Sequence, residues 1–368
     1  MFIKAAISFD AVSQKAWTFM VGGCFVAVIS GNIPTCQCNW RRENAVKNSY
    51  AIQRVLEKYP TLSREKVKEC LGFSTFVDVN QRFMFFEVPK AACTTMKALL
   101  HRMAGSPPLT YYLGEVQTRR EMFVHCRRNV PLPSLVDLDD RTQEMVLHSP
   151  DIFRFAVVRN PYTRLISAWR SKVVLCEPGF EYVYRDIRGS LPASSKELIT
   201  FPEFLDYVER SEPATYNPHW MLQTDHLFYD AFQFSYIGKM EKLSDALKRF
   251  QEHLGETGRI DVGSSNTTAY KDDVALTDDQ ANRIYRIYQN DFEKLGYDRA
   301  DFPQPHKTEQ SSNPAERNGH YTEILERNII IGMIARERAE LAAKVRWTPA
   351  GVLGGIGRKL RRLVGQQV

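Results

Sequence analysis

The chain has little of what marks several large classes of protein. Its 368 residues contain no internal repeat and no long low-complexity tract. The seven cysteines are scattered and odd in number, which argues against a closed disulfide framework and favours a reducing compartment. The net charge of +6 is far below the dense basic loading of a dedicated nucleic-acid binder, so we expect no nucleic-acid partner. What remains is a mildly basic globular protein, suited to an anionic ligand.

Long hydrophobic runs are also missing. Residues 16–40 carry no charge, but the apolar part is shorter than the roughly 20 residues of a membrane-spanning helix, contains Gly22-Gly23 and is followed by Pro34. We therefore interpret residues 1–43 as an extension or buried helix, and a membrane anchor stays open as the alternative. At the other end, residues 303–368 read as a basic helical tail that could touch a membrane or a partner.

Between these ends, residues 44–302 alternate between strand and helix patterns. Strands are predicted at 82–88, 153–159 and 232–238. Helices are predicted at 44–71 with a cap at Ser63, at 95–103, 198–210 and 277–295, and from Pro161 with a cap at Asn160, while residues 106–150 are predicted to be rich in loops. This alternation predicts an α/β fold with a mainly parallel central sheet flanked by helices. In such a sheet, ligands bind beyond the carboxyl ends of the strands, at helix N-termini.

The first strand opens into VPKAACTTMK, which lacks the glycines of the nucleotide loop GxxxxGK[ST]. Small residues let backbone N–H groups approach an anion, while Thr94 and Thr95 add hydroxyl groups and Lys90 adds a positive charge. A plain turn with a solvated lysine is the alternative. A kinase or NTPase should show the missing glycines and an acidic metal ligand, so the sequence disfavours that class.

The second strand ends in RNPYTRLIS. Arg159 leaves the strand and Ser167 follows about two helical turns later, so that both could bind one phosphate group. Arg164 lies between them as a secondary anion contact or as one half of a salt bridge. The two turns in this order are stronger evidence for an anion site than either turn alone.

Four stretches carry a family resemblance. VPKAACTTMK and FAVVRNPYTRLISAWRSK resemble the 5′-phosphosulfate and 3′-phosphate segments of sulfotransferases. NPHWMLQ with YIGKMEKL, and IYQNDFEKLGY, are similar to the carbohydrate sulfotransferases of the chondroitin 4-O and HNK-1 types and to their bacterial relatives. Together these stretches cover residues 82–300, and they imply a P-loop-like sulfotransferase fold.

The resemblance implies transfer of a sulfuryl group from 3′-phosphoadenosine-5′-phosphosulfate to a carbohydrate hydroxyl, without a metal. Lys90, Thr94 and Thr95 would bind the 5′-phosphosulfate, and Arg159 and Ser167 the 3′-phosphate. The turn that binds the phosphosulfate would comprise Pro89, Lys90, Ala91, Ala92, Cys93, Thr94 and Thr95. Lys90 would also be catalytic, because it offsets the charge that develops on the leaving phosphate.

The acceptor hydroxyl needs a general base, for which histidine suits neutral pH. His219 in the PHW motif is our first candidate, His148 the second, and Glu87 at the strand end stays open. The acceptor could be anionic, and the sequence does not define the oligomeric state. Golgi relatives typically have paired cysteines near this motif, and their lack here favours a cytoplasmic enzyme, with membrane association or a Golgi type II protein as alternatives. A catalytically degenerate protein that binds nucleotide or glycan is the rival function.

Overall fold

The computed structural model describes most of the chain between Ser49 and Gln304. The described residues are 16–21, 24–29, 49–104, 130–174, 177, 179–190, 198–213, 216–255 and 274–304. Beyond Gln304, the predicted basic tail lies outside the described residues. The chain divides into two compact units. The first comprises Met1–Val88, Ala92–Val157 and Leu227–Ala269, and the second comprises Pro89–Ala91, Val158–His226 and Tyr270–Val368.

Six strands and eleven α-helices lie in the described ranges. In chain order the strands are β1 (Ala16–Val21), β2 (Cys24–Ile29), β3 (Thr75–Asp78), β4 (Phe83–Phe86), β5 (Phe153–Val158) and β6 (Tyr236–Lys239). The helices are α1 (Tyr50–Lys58), α2 (Arg64–Ser74), α3 (Cys93–Met103), α4 (Asp140–His148), α5 (Pro161–Ala168), α6 (Glu181–Arg188), α7 (Phe201–Arg210), α8 (Gln223–His226), α9 (Leu243–Leu254), α10 (Asp278–Ile287) and α11 (Gln289–Leu295).

The apolar N-terminal stretch is a β-hairpin rather than a helix. Strands β1 and β2 pair antiparallel, in a register that runs from Ala16 opposite Ile29 to Val21 opposite Cys24. The two residues between the strands are Gly22 and Gly23. A Gly-Gly pair between two strand-forming runs is a hairpin signal, and the helix interpretation overlooked it. Among the helices that the structure describes, none has the length and apolar composition needed to cross a bilayer.

The first unit contains a four-stranded sheet in the order β3-β4-β5-β6. Strand β3 is antiparallel to β4, and β4 is parallel to β5. The sheet is mixed, mostly parallel and flanked by helices, which confirms the predicted α/β class. Its core is rich in phenylalanine, and the rings of Phe155 and Phe250 lie 4.5 Å apart. Because β4 and β5 are parallel, they end at the same edge of the sheet.

The second unit is helical around its own buried core. Helices α5, α7, α10 and α11 contribute most of this core, with Trp220 from the segment before α8. The predicted single helix 277–295 is two helices, because the backbone leaves helical geometry at Tyr288 (φ −108°, ψ 23°). The Tyr288 hydroxyl donates to the carbonyl of Trp220 at 2.5 Å, which explains why the side chain stays buried at this break.

Several other boundaries differ from the prediction. The predicted helix 44–71 is in fact α1 and α2, with Ser63 capping α2 as expected. The segment 106–150, which is predicted to be rich in loops, contains α4. Asn160 caps α5 and Pro161 begins it, as predicted, because the Asn160 side chain accepts a hydrogen bond from the Tyr162 N–H. Local signals therefore located the helix starts next to the proposed site correctly.

Candidate active site

The turn after β4 has an unusual backbone. Lys90 and Ala92 both adopt left-handed conformations, with φ of 69° and 57°, although neither is a glycine. Each such residue costs on the order of 1–3 kcal/mol, and such strain concentrates at functional sites. Left-handed residues in a turn direct successive backbone N–H groups into a concave, anion-binding arrangement. An anion site at this turn stays a prediction, to which the two left-handed residues add a backbone observation.

Helix α3, which follows this turn, begins without a side-chain cap. Ala92 occupies its N-cap position and makes no capping hydrogen bond through its side chain, whereas Ser63 caps α2 and Asn160 caps α5. Thr94 and Thr95 lie in the first turn of α3, and both stay predicted anion contacts. These two threonines belong to the first unit, and Lys90 belongs to the second.

Within the second unit, the strand-end arginine contacts the lysine turn. Arg159 follows β5, and its Nη1 donates to the backbone carbonyl of Lys90 at 3.3 Å. Its Nε donates to the hydroxyl of Thr163 at 3.0 Å, which holds the side chain along the start of α5. Two predicted anion-binding residues, 69 positions apart in the sequence, thus lie together.

A serine that the sequence reading missed holds the ammonium group of Lys90. The Lys90 Nζ donates to the hydroxyl of Ser171 at 2.8 Å. Ser171 lies in a π-helical turn, Trp169–Val174, directly after α5. Ser167, the predicted phosphate contact, lies one residue before the end of α5 and is half-buried. Ser171 follows Ser167 by four positions, the spacing that places two side chains on one helix face, and this signal could have pointed to it.

The backbone of Arg159 is fixed by Gln223, the last residue of the NPHWMLQ motif. The Gln223 side-chain amide accepts from the Arg159 N–H at 2.9 Å and donates to the Arg159 carbonyl at 2.8 Å. Asp291, which is fully buried, accepts from the N–H groups of Gln223 and Thr224 at 2.8 and 2.9 Å. Burial raises the pKa of Asp291, against the effect of these hydrogen bonds. Gln223 and Asp291, which belong to two of the stretches that carry the family resemblance, thus hold the backbone of Arg159 in place.

His219 is held in one tautomer by Asn217. The Asn217 Oδ1 accepts the backbone N–H of His219 at 3.1 Å and also lies 2.7 Å from the ring Nδ1. A backbone N–H can only donate, so this atom must be the amide oxygen, and the facing Nδ1 must carry the proton. The Nε2 of His219 therefore has the lone pair that a general base needs. The amide nitrogen of Asn217 donates to the Tyr182 hydroxyl at 3.2 Å, which supports the same orientation.

The other two base candidates have different surroundings in the first unit. His148 is exposed at the end of α4, and its Nε2 forms a hydrogen bond with the Tyr50 hydroxyl at 2.8 Å. Glu87 is buried, and one carboxylate oxygen lies 2.8 Å from the Nζ of Lys97. Of the three candidates, His219 has the geometry closest to that of a base.

No metal centre is apparent in the parts of the chain that the structure describes: no group of three or more His, Cys, Asp or Glu side chains there could hold an ion.

Comparison with known proteins identifies the family of the chain. The sulfotransferase family model matches residues 74–298, which is more than half of the chain. Carbohydrate sulfotransferase 14 of Mus musculus is 33% identical over 168 residues, 44% of this chain and 41% of that protein. Carbohydrate sulfotransferase 11 of Danio rerio is 24% identical over 251 residues, covering 60% and 66%, and carbohydrate sulfotransferase 10 of Homo sapiens is 25% identical over 265 residues, covering 66% and 71%.

The matches to the type 14 enzymes of mouse and human span under half the length of those relatives. No solved structure matches the chain significantly. The family match, however, contains the Lys90 turn, the Arg159 turn and the His219 segment within its bounds. The chain belongs to the sulfotransferase family.

Proposed function

We propose that this protein transfers a sulfuryl group from 3′-phosphoadenosine-5′-phosphosulfate to a hydroxyl group of a carbohydrate. The observation that carries the proposal is the contact between the two predicted anion-binding turns, in which the Arg159 guanidinium donates to the Lys90 carbonyl. Family membership and relatives named carbohydrate sulfotransferases support the reaction and the acceptor class.

In this proposal, Lys90 and Arg159 bind opposite ends of one donor. Lys90, with the Ala91 and Ala92 backbone and the first turn of α3, binds the 5′-phosphosulfate, and Arg159 with Ser167 binds the 3′-phosphate. The strained conformations of Lys90 and Ala92 support this division, because they shape the turn for an anion. Ser171 is a holding group for the Lys90 ammonium in the structure described here.

The transfer is an in-line displacement at sulfur. The Nε2 of His219 accepts the proton of the sugar hydroxyl as its oxygen forms a bond to sulfur. The bond between sulfur and the bridging phosphate oxygen breaks at the same time, and Lys90 stabilises the negative charge that develops on that oxygen. The products are the sulfated sugar and 3′-phosphoadenosine-5′-phosphate. A sulfuryl group has fewer anionic oxygens than a phosphoryl group, so this route needs no metal clamp.

The acceptor and the cellular compartment are proposed as classes only. We infer a glycan or polysaccharide acceptor from the names of the relatives, and an anionic one from the mildly basic composition. The scattered, odd-numbered cysteines support a reducing compartment.

The test compares wild-type protein with Lys90→Ala and, as a matched control, with Lys58→Ala, an exposed lysine of α1. Binding of 3′-phosphoadenosine-5′-phosphate is measured by calorimetry, and transfer of labelled sulfate is measured on unsulfated chondroitin and on pooled host glycans. We expect Lys90→Ala to weaken nucleotide binding and to reduce transfer by about 100-fold or more, whereas Lys58→Ala behaves as wild type.

Two results would count against the proposal. If wild-type protein transfers no sulfate to any acceptor while Lys90-dependent nucleotide binding persists, the protein is the degenerate binding protein named above. If Lys90→Ala leaves both binding and transfer unchanged, the turn after β4 is not the donor site.

A further inference from the structure

Arg164 is the most buried large side chain next to the proposed donor turn. It lies in α5, is 1% exposed, and its guanidinium group donates to three backbone carbonyls. The Nε donates to Pro89 at 3.0 Å, Nη1 to Met221 at 2.6 Å and Nη2 to Pro218 at 2.8 Å. The sequence suggested a secondary anion contact or a salt bridge for Arg164, whereas the structure shows Nε, Nη1 and Nη2 each bonded to a backbone carbonyl.

These carbonyls belong to two segments with proposed chemical roles. Pro89 directly precedes Lys90, while Pro218 and Met221 lie on either side of His219. All of these residues are in the second unit. One guanidinium group therefore bonds both to the segment that carries the proposed catalytic lysine and to the segment that carries the proposed base. The fork of a guanidinium presents its donors at fixed angles, so it constrains both segments together.

We propose that Arg164 is a positioning residue that holds the Lys90 turn and the His219 loop in the arrangement required for transfer. This inference rests on the proposed function for the roles of Lys90 and His219. In this account Arg164 touches neither donor nor acceptor, since its Nε, Nη1 and Nη2 each donate to a backbone carbonyl. It acts by limiting the motion of two short segments that are more than 100 residues apart in sequence.

A second buried arginine provides the matched control. Arg154 in the first unit is 7% exposed and donates to the carbonyls of Gln233 at 2.8 Å, Val146 at 3.2 Å and Ser149 at 2.7 Å. Like Arg164, it donates to three backbone carbonyls, although through Nε and Nη1 alone, and only Arg164 also acts on the buried carboxylate of Asp291, whose pKa its charge lowers. A purely structural role predicts the same consequence for the loss of either arginine, whereas positioning predicts an effect on the chemical step for Arg164 alone.

The experiment compares Arg164→Lys with Arg154→Lys, because lysine keeps the charge but cannot reproduce the planar fork. We expect Arg164→Lys to lower kcat by about 100-fold at saturating donor and acceptor, since misplacement on the order of 1 Å has that effect. The KM for the donor should change less than about 3-fold. Arg154→Lys should keep kcat per folded molecule within about 2-fold of wild type, even if both variants lose a similar amount of thermal stability. Arg164→Gln serves as a second variant should Arg164→Lys fold poorly, and the same loss of kcat is expected.

Hydrogen–deuterium exchange provides a readout that does not depend on activity. In Arg164→Lys, the amides of Lys90 and Ala91 and those of His219 to Leu222 should exchange faster together, by about 10-fold, relative to the rest of the second unit. Arg154→Lys should leave both segments protected.

Equal kcat for Arg164→Lys and Arg154→Lys would overturn the proposal, as would faster exchange in only one of the two segments or in neither. If wild-type protein transfers no sulfate, the proposed function fails, and the exchange experiment alone decides whether Arg164 couples the two segments.

Discussion

The two candidate histidines lie in segments of similar construction but different setting. His219 lies between carbonyls that bind Arg164, and His148 lies between carbonyls that bind Arg154. In the second unit, the same arginine also binds the carbonyl before Lys90, whereas Arg154 has its remaining contact on an ordinary loop. A histidine held by a buried arginine is therefore not in itself a sign of catalysis. The two segments differ in the third carbonyl to which the arginine donates.

The imidazole rings differ as well. Asn217 fixes the His219 tautomer so that Nε2 is the acceptor, while the Nε2 of His148 is already engaged by the Tyr50 hydroxyl. A general base needs a lone pair that can reach the substrate proton. His219 therefore stays our first candidate for the general base, and His148 stays the second. The following predictions test the difference between the two segments.

The largest contrast is expected from the histidines themselves. His219→Ala should reduce kcat by about 100- to 10,000-fold, because the acceptor hydroxyl loses its proton acceptor. His148→Ala should stay within about 2-fold of wild type. Steady-state sulfate transfer at saturating donor measures both. An inactive His148→Ala with an active His219→Ala would reverse the assignment.

A smaller contrast is expected from the partners of the two rings. Asn217→Ala should reduce kcat by roughly 10- to 100-fold, because the ring loses the group that selects its tautomer and orientation. Tyr50→Phe, which removes the partner of His148, should have no measurable effect on transfer. Nucleotide affinity should be unchanged in both variants, and calorimetry checks this. A Tyr50→Phe loss as large as that of Asn217→Ala would remove the distinction between the two segments.

The smallest effect on chemistry is expected for the buried ion pair of the first unit. Glu87→Gln or Lys97→Met should lower the free energy of unfolding by about 3–5 kcal/mol, since each leaves one buried charge without its partner. The double variant Glu87→Leu with Lys97→Met should be less destabilised than the two single variants combined. Denaturant unfolding measures these energies. Transfer per folded molecule should persist in Glu87→Gln, and its loss would reinstate Glu87 as a base candidate.

Local signals predicted a large part of the fold. The Ser63 cap, the Asn160-Pro161 helix start and the buried strand ending at Val158 each depend on a few adjacent residues, and each is confirmed. The proximity of Lys90 and Arg159 could also be predicted from the sequence, because the two strands that precede them are parallel and end at one edge of the sheet.

The contacts that complete the candidate site could not be read in this way. The bond from Lys90 to Ser171 joins residues 81 positions apart. Gln223 reaches Arg159 across 64 positions, and Arg164 joins segments 54 and 75 positions away. Such contacts arise from tertiary packing, which no local propensity encodes. The general-base assignment needed the Asn217 geometry for the same reason.

The most direct test of the account is a mass-spectrometric screen of host surface glycans incubated with the purified protein and 3′-phosphoadenosine-5′-phosphosulfate. We expect a glycan product that forms only in the presence of the donor and that carries the added mass of one sulfate group. Wild type and His148→Ala should form this product, and Lys90→Ala and His219→Ala should not. Formation of the same product by Lys90→Ala at the wild-type rate, or no sulfated product with any glycan, would contradict it.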